Sequence, residues 1–206
     1  MRKETLWEAQ KRKNPGHSAW YINRFETMRR EGADLDGEAR LIDAMAARGS
    51  RILDAGCGPG RVGGALAARG HEVVGVDVDP ELVDAARKDY PDVTWLVGDL
   101  AELDLPAHGI TEGFDLIVSA GNVLTFLAPG TQRTVLARLA AHLRGDGRLV
   151  TGFGTGRGYD FGTFLDDAAS AGLAADLKLA TWDLRPFGPE ADFLVAVFSR
   201  SPQSGR

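Results

Sequence analysis

The chain has 206 residues, 44% of them hydrophobic and 26% charged, with a formal net charge of −5. That is room for one hydrophobic core and a short remainder in an ordinary globular composition. No run of about 18 apolar residues is present to cross a bilayer. The charged N-terminus has no apolar stretch behind it to serve as a secretory leader, and the single cysteine, Cys57, excludes an internal disulfide. Together these point to a cytoplasmic protein without a membrane partner.

Residues 1–30 hold eight basic and three acidic side chains, so this segment is +5 and the remainder −10. A basic arm can contact nucleic acid, but no basic patch interleaved with aromatics recurs later, which favours a solvated helical face folded on an acidic body. Two amphipathic helices are expected here. Tyr21, Phe25 and Met28 repeat at helical spacing, and Leu41, Ile42 and Met45 do so again before Gly49 ends the pattern. They are read as a helical cap over 1–49, ahead of a domain over 50–200.

From Arg51 the rhythm changes. The short apolar runs RILDA, EVVGVD, VTWLVGD, FDLIVSA and GRLVTGF alternate with helical stretches over 61–69, 81–88, 132–143 and 161–171. Such alternation predicts βαβ units, with a parallel sheet covered by helices on both faces. The stretch 100–112 is poorly periodic and predicts only short or irregular helix. Near the C-terminus AADLKLATWDL and DFLVAVFSR are joined by RPFGPEA, too short for a crossover helix, so the two strands must pair antiparallel. In the second of them both alternating faces are apolar, as in a strand inside the sheet. The tail SPQSGR has the composition of a disordered end.

The loop LDAGCGPGRVGGAL decides the functional reading. Gly58 to Gly63 matches the Gly-x-Gly-x-x-Gly pattern of dinucleotide-binding loops. In that fold, however, the first glycine follows the strand directly, whereas here the strand ends near Asp54 and the turn begins at Gly56. The register that fits is Asp54, Gly56, Cys57, Gly58, Gly60, with a carboxylate at the mouth of the loop that would repel a pyrophosphate and attract a cation. Two further acids close the next strands: Asp77 after VVGV and Asp99 after WLVG.

On these residues the chain, over 51 to about 199, resembles the class I S-adenosylmethionine-dependent methyltransferases of small molecules. The resemblance implies a doubly wound, mostly parallel α/β sheet of seven strands with an antiparallel C-terminal hairpin strand. It implies S-adenosylmethionine as cofactor and a small-molecule substrate. Asp77, with Val78 beside it, would take both ribose hydroxyls; Asp99 and the amide of Leu100 would read adenine; Ala120 would lie beside the cofactor at the fourth strand end. A carboxylate suits a vicinal diol because each oxygen can accept one hydroxyl. Bland roles exist for each: the glycines for a tight turn, Asp77 or Asp79 as a helix N-cap, Cys57 as a small loop residue.

Asn122, in SAGNVLTF, falls where the resemblance places the reacting group, and its amide can both donate and accept. The chain lacks the Asn/Asp-Pro-Pro-aromatic motif of DNA amino-methylating enzymes, the paired glutamates of the protein-arginine type and a carboxylate set of the catechol type. His71, His108 and His142 are expected at the surface, and His17 is the histidine expected near the site. Trp20, Tyr21 and Arg24 would form one helix face over the cofactor, with Arg24 gripping its methionine carboxylate; the competing arrangement packs Trp20 into the body and leaves Arg24 solvated. In GFGTGRGYD, a loop after the fifth strand with no Gly-Lys-Ser/Thr, Arg157 and Tyr159 are candidate pocket walls with Phe187. The competing functions are an NAD(P)-dependent oxidoreductase and a non-catalytic module that binds S-adenosylmethionine.

Overall fold

A computed structural model describes residues 2–201. Of the tail expected to be disordered, residues 202–206 lie outside the described residues. The sheet has seven strands in the order β3-β2-β1-β4-β5-β7-β6: β1 (Arg51–Ala55), β2 (Glu72–Asp77), β3 (Thr94–Val97), β4 (Phe114–Ser119), β5 (Leu143–Gly154), β6 (Leu173–Leu179) and β7 (Phe193–Arg200). The first five are parallel, and β7 runs antiparallel to both β5 and β6. Its placement between them explains the two apolar faces of Phe193 to Phe198: Leu194, Ala196 and Phe198 pack on one side, Val195 and Val197 on the other.

Four crossover helices fall close to the expected spans: α4 (Arg61–Ala67), α5 (Pro80–Asp89), α6 (Gln132–His142) and α7 (Phe161–Ser170). Between β3 and β4 there are only two short 3₁₀ turns. One core joins α6 and α7 to a sheet face bearing Leu53, Ile117, Leu149 and Phe153. The other joins α4 to Ile52, Leu116, Val118 and Val195. No described helix is long and apolar enough to cross a membrane.

Three helices precede β1, one more than expected: α1 (Leu6–Lys13), α2 (His17–Arg30) and α3 (Gly37–Met45). Helix α1 begins with a reciprocal capping box between Thr5 and Glu8, a signal visible as Thr-x-x-Glu. Its eight residues hold too few apolar positions for periodicity to reveal them. Although α3 was grouped with the cap, its Ala39 and Ile42 are buried in the α4-side core. Helices α1 and α2 lie over the C-terminal strand ends, and Glu38, at the start of α3, reaches the same side of the sheet.

Strand order places the ligand side. From β1 the chain steps to β2 and β3 in one direction, and β4 and β5 extend the sheet in the other. The loops leaving β1 and β4 therefore diverge and open a crevice at the topological switch point.

Candidate active site

A cavity of about 590 Å³ occupies that crevice, within the ~300–1,000 Å³ usual for small-molecule sites. Gly56, Gly58, Asp77, Val78, Asp99, Leu100, Ala120 and Asn122 reach its wall from the strand ends, and His17, Trp20, Tyr21 and Arg24 from α2. Thus most of the residues singled out in the sequence meet in one place.

Three residues at the β1 end and in the loop after it do not line the cavity: Asp54, Cys57 and Gly60. Asp54 is 2% exposed and turns beneath the loop, where its Oδ2 accepts from the Gly63 amide at 2.8 Å. Burial pushes its carboxyl up to about 7, so it supports the loop from below rather than presenting a charge at the loop's mouth. Cys57 packs with Val83, Ala86 and Trp95, and burial raises its thiol well above the ordinary range, which leaves it unreactive. Gly60 has φ +80°, and a Cβ there would press on Ala86 and Trp95 at 3.0–3.1 Å. Its need for glycine comes from this left-handed backbone and from packing, with no ligand involved. At Gly56, with φ +86°, a side chain would instead overlap Val123.

The two other acids face the cavity with lone pairs to spare. Asp77 accepts from the Gly58 amide through Oδ2 and from the Asp79 amide through Oδ1, both at 2.9 Å. Each oxygen keeps a second acceptor site. Burial raises the carboxyl to about 6. Asp99 caps the following turn by accepting from the Ala101 amide at 2.9 Å, and its other oxygen accepts from Arg2 at 3.0 Å. The Arg2 contact had no signal in the sequence.

Asp79, not Asp77, is the N-cap of α5. Its fully buried side chain also accepts from Trp7 Nε1 at 2.8 Å, Lys11 Nζ at 2.6 Å and the Ser18 hydroxyl at 2.5 Å. Burial alone would raise its carboxyl, but these partners, led by Lys11, hold it below the usual carboxylate range. On the opposite rim the amide of Leu6 donates to the Phe126 carbonyl at 2.9 Å. Helix α1 therefore spans the crevice from the β4 loop to the β2 loop, and the basic arm neutralises acids of the body.

Helix α2 forms the roof. His17 stacks on Trp20, with ring centroids 5.3 Å apart, and tilts against Trp7 at 4.8 Å. Trp20 is 54% exposed rather than packed into the body, and Arg24 lies 5.9 Å from the ring centroids of Trp20 and Phe25. A Cβ at Gly58 would lie 3.7 Å from the Tyr21 ring, and one at Gly121 3.8 Å from its hydroxyl, so the phenol bridges the diverging loops. Burial raises its pKa above the ordinary phenol value. Behind it, Arg61 forms a two-pronged pair with Glu38 and lies 5.3 Å from the Phe25 ring centroid.

Asn122 sits at φ +67° and its Oδ1 accepts from the Gly154 amide at 2.8 Å. Because that partner is a donor, the amide oxygen is committed to it and the NH₂ group is the part left for a ligand. Of the other expected walls, Arg157 lines the cavity and Tyr159 and Phe187 do not. Tyr159 stacks on Phe153 and donates to Asp167 at 3.0 Å, while Phe187 packs on Phe161. Their places are taken by Trp182 and Phe193. The strand expected to run on through Trp182 ends instead at Leu179, and the indole lies in the turn.

The surface expectation fails for His71, which is buried and bonded to Asp43 at 2.9 Å. It holds for His108, and His142 is half-buried.

Comparison with known proteins agrees with this geometry. Residues 52–147 match the family described as methyltransferase domain. The crystal structure of a TehB-like SAM-dependent methyltransferase from Corynebacterium glutamicum is 50% identical, with a TM-score of 0.86, and the match covers 91% of this chain and 100% of that one. The chain belongs to the S-adenosylmethionine-dependent methyltransferases. Among curated methyltransferases, magnesium-protoporphyrin O-methyltransferase of Rhodobacter capsulatus is 38% identical over 102 residues, 47% of this chain and 42% of that protein. Trans-aconitate 2-methyltransferase of an Azoarcus species is 33% identical over 132 residues, 63% of this chain and 47% of that protein. The chain thus spans less than half the length of these two methyltransferases. The cofactor of the family is S-adenosylmethionine, and the residues at the crevice fit it: two carboxylates with free acceptor sites, a glycine loop and, on the roof, the Arg24 guanidinium, which makes no ion pair among the described residues.

Proposed function

We propose that the chain transfers a methyl group from S-adenosylmethionine to a small-molecule acceptor inside this cavity. The observation that carries the reading is the single cavity itself, which joins Asp77, Asp99, the Gly56 to Gly58 turn and Asn122 beneath α2. The bound cofactor supplies a methyl group activated by its sulfonium. Asp77 would accept the two ribose hydroxyls on its spare lone pairs, and Asp99 with the Leu100 amide would read adenine. Arg24 would hold the methionine carboxylate by charge-assisted hydrogen bonds. Tyr21, kept protonated by burial, is a hydroxyl donor beside Gly121.

We assign the acceptor side to Asn122, whose NH₂ group, left free by the Oδ1 bond to Gly154, would hold a substrate heteroatom. Such orientation reaches effective molarities of ~10⁵–10⁸ M. His17 is the histidine among the residues that line the cavity and is our candidate for taking a proton from the acceptor. A cytoplasmic location suits a soluble-metabolite acceptor.

Calorimetric titration with S-adenosylmethionine, S-adenosylhomocysteine and NAD, followed by a metabolite screen with labelled cofactor, tests the reading. Binding of both sulfur compounds, no binding of NAD and label transfer to a small molecule are expected. Binding of NAD alone would support an oxidoreductase, and cofactor binding without any transfer would support a non-catalytic module.

A further inference from the structure

The acceptor half of the cavity differs in chemistry from the half assigned to adenosine. Its walls are Trp182, Phe193, Asn122 and Arg157. The two rings are seated by glycines of β5: a Cβ at Gly152 would overlap the Trp182 indole and come within 3.3 Å of Phe193, and one at Gly154 would lie 3.6 Å from the Phe193 ring. A strand face without side chains lets flat rings lie directly on its backbone. The wall is tied down as well. The Thr155 amide donates to the Asp192 carbonyl at 2.8 Å, and the Ala180 amide to the Arg185 carbonyl at 2.8 Å.

Arg157 stands between Gly156 and Gly158, both at positive φ, +73° and +82°. Its guanidinium makes no ion pair or hydrogen bond among the described residues, although acidic residues exceed basic ones in this chain. By contrast Asp99, across the cavity, is met by Arg2, and the buried Arg61 by Glu38. The acceptor side thus presents an unpartnered planar cation, two aromatic walls and one amide donor. A guanidinium and aromatic rings lining one cavity favour a flat ligand bearing a carboxylate, because the guanidinium can bind both oxygens in one plane.

We infer that the methyl acceptor is a flat, aromatic-sized anion whose carboxylate is bound by Arg157 and whose ring lies against Trp182 and Phe193. The inference rests on the methyltransferase reading of the same cavity and adds the acceptor's charge and shape.

The test uses the full chain saturated with S-adenosylhomocysteine, whose own binding is measured first. Its failure to bind would overturn the methyltransferase reading, and this inference with it. Three carboxylate and carboxamide pairs serve as probes: benzoate and benzamide, 2-naphthoate and 2-naphthamide, indole-3-acetate and indole-3-acetamide. Each carboxylate is expected to bind about tenfold more tightly than its amide. In Arg157→Gln, at an exposed position whose side chain makes no ion pair or hydrogen bond among the described residues, that preference should vanish while the dissociation constant of S-adenosylhomocysteine stays unchanged. Trp182→Ala should weaken both members of each pair alike. Equal binding of acid and amide, a preference that survives Arg157→Gln, or no binding by any pair in a protein that holds S-adenosylhomocysteine would overturn the inference and leave the methyltransferase reading standing.

Discussion

The sheet and the α1–α2 cover enclose the same cavity but are held by different forces. The sheet rests on large side chains with essentially no exposure, among them Phe114, Phe153, Phe164 and Phe198, packed between helices on both faces. The cover has Trp7, His17 and Ser18 as the buried residues of its two helices, and polar links hold it: the Asp79 cluster, the Phe126 carbonyl and Arg2 on Asp99. Apolar burial fixes strand ends because no solvent contact replaces it. Hydrogen bonds to a cover exchange with water at a net cost of only about 1 kcal/mol each, and regions of that kind open locally well before the core does. The contrast suits a site whose ligand must enter and leave beneath a roof.

The harshest way to break the comparison is to remove residues 1–30. The truncated chain should keep a cooperative thermal transition, because α3 and the sheet remain. Its cofactor affinity should fall by roughly a hundredfold, and methyl transfer should disappear. A calorimetric titration and a melt of the same sample check both halves. Turnover equal to that of the full chain would show that the cover plays no part in the site.

Asp77→Ala attacks the sheet side. Losing charge-assisted hydrogen bonds worth ~1.5–3 kcal/mol should weaken cofactor binding roughly ten- to hundredfold. An unchanged dissociation constant in the folded variant would reduce Asp77 to a turn-stabilising role.

How much of this was legible in the sequence follows the same division. The strands, the crossover helices and the C-terminal hairpin repeat apolar residues at fixed spacing, because each has to bury a face. Asp77 and Asp99 were legible because strand ends deliver residues to the crevice. The interior roles of Asp54, Gly60 and Cys57 were hidden, since the direction a loop side chain takes depends on Trp95 and Gly63, which only the fold brings near. Helix α1, the pairing of Arg2 with Asp99 and the indole of Trp182 left no periodic trace. Each depends on partners dozens of residues away, as Trp7 does on Asp79.

Asp79→Ala separates the two regions more gently. It removes the acceptor shared by Trp7, Lys11 and Ser18 without touching the acids that face the cavity. Cofactor binding should weaken about five- to thirtyfold, equivalent to ~1–2 kcal/mol of docking. Limited proteolysis should cut within 2–30 at sites protected in the parent chain. Unaltered protection would mean that the cover is held elsewhere.

The pH dependence gives the smallest effect. Asp77 has a carboxyl raised to about 6 by burial, and it must be ionised to accept both ribose hydroxyls. Cofactor affinity should therefore fall about fourfold between pH 7 and pH 5.5, and Asp77→Asn should flatten that profile at a weaker level. Stability moves the other way. With folded values of about 6 for Asp77 and about 7 for Asp54, both above the unfolded value, the folded chain binds the extra protons. The contribution of these two groups is fully present below about pH 4 and is lost as pH rises through 6 and 7. Thermal melts of the Asp77→Asn and Asp54→Asn variants across that range check the sign.

That α1 and α2 form a wall of the cofactor site is checked by amide hydrogen exchange of the intact chain with and without S-adenosylhomocysteine. Exchange is expected to slow across Leu6–Lys13 and His17–Arg30 when the ligand binds, while the already protected amides of β1, β4 and β5 change little. Ligand binding with no change in the exchange of either cover helix would contradict it.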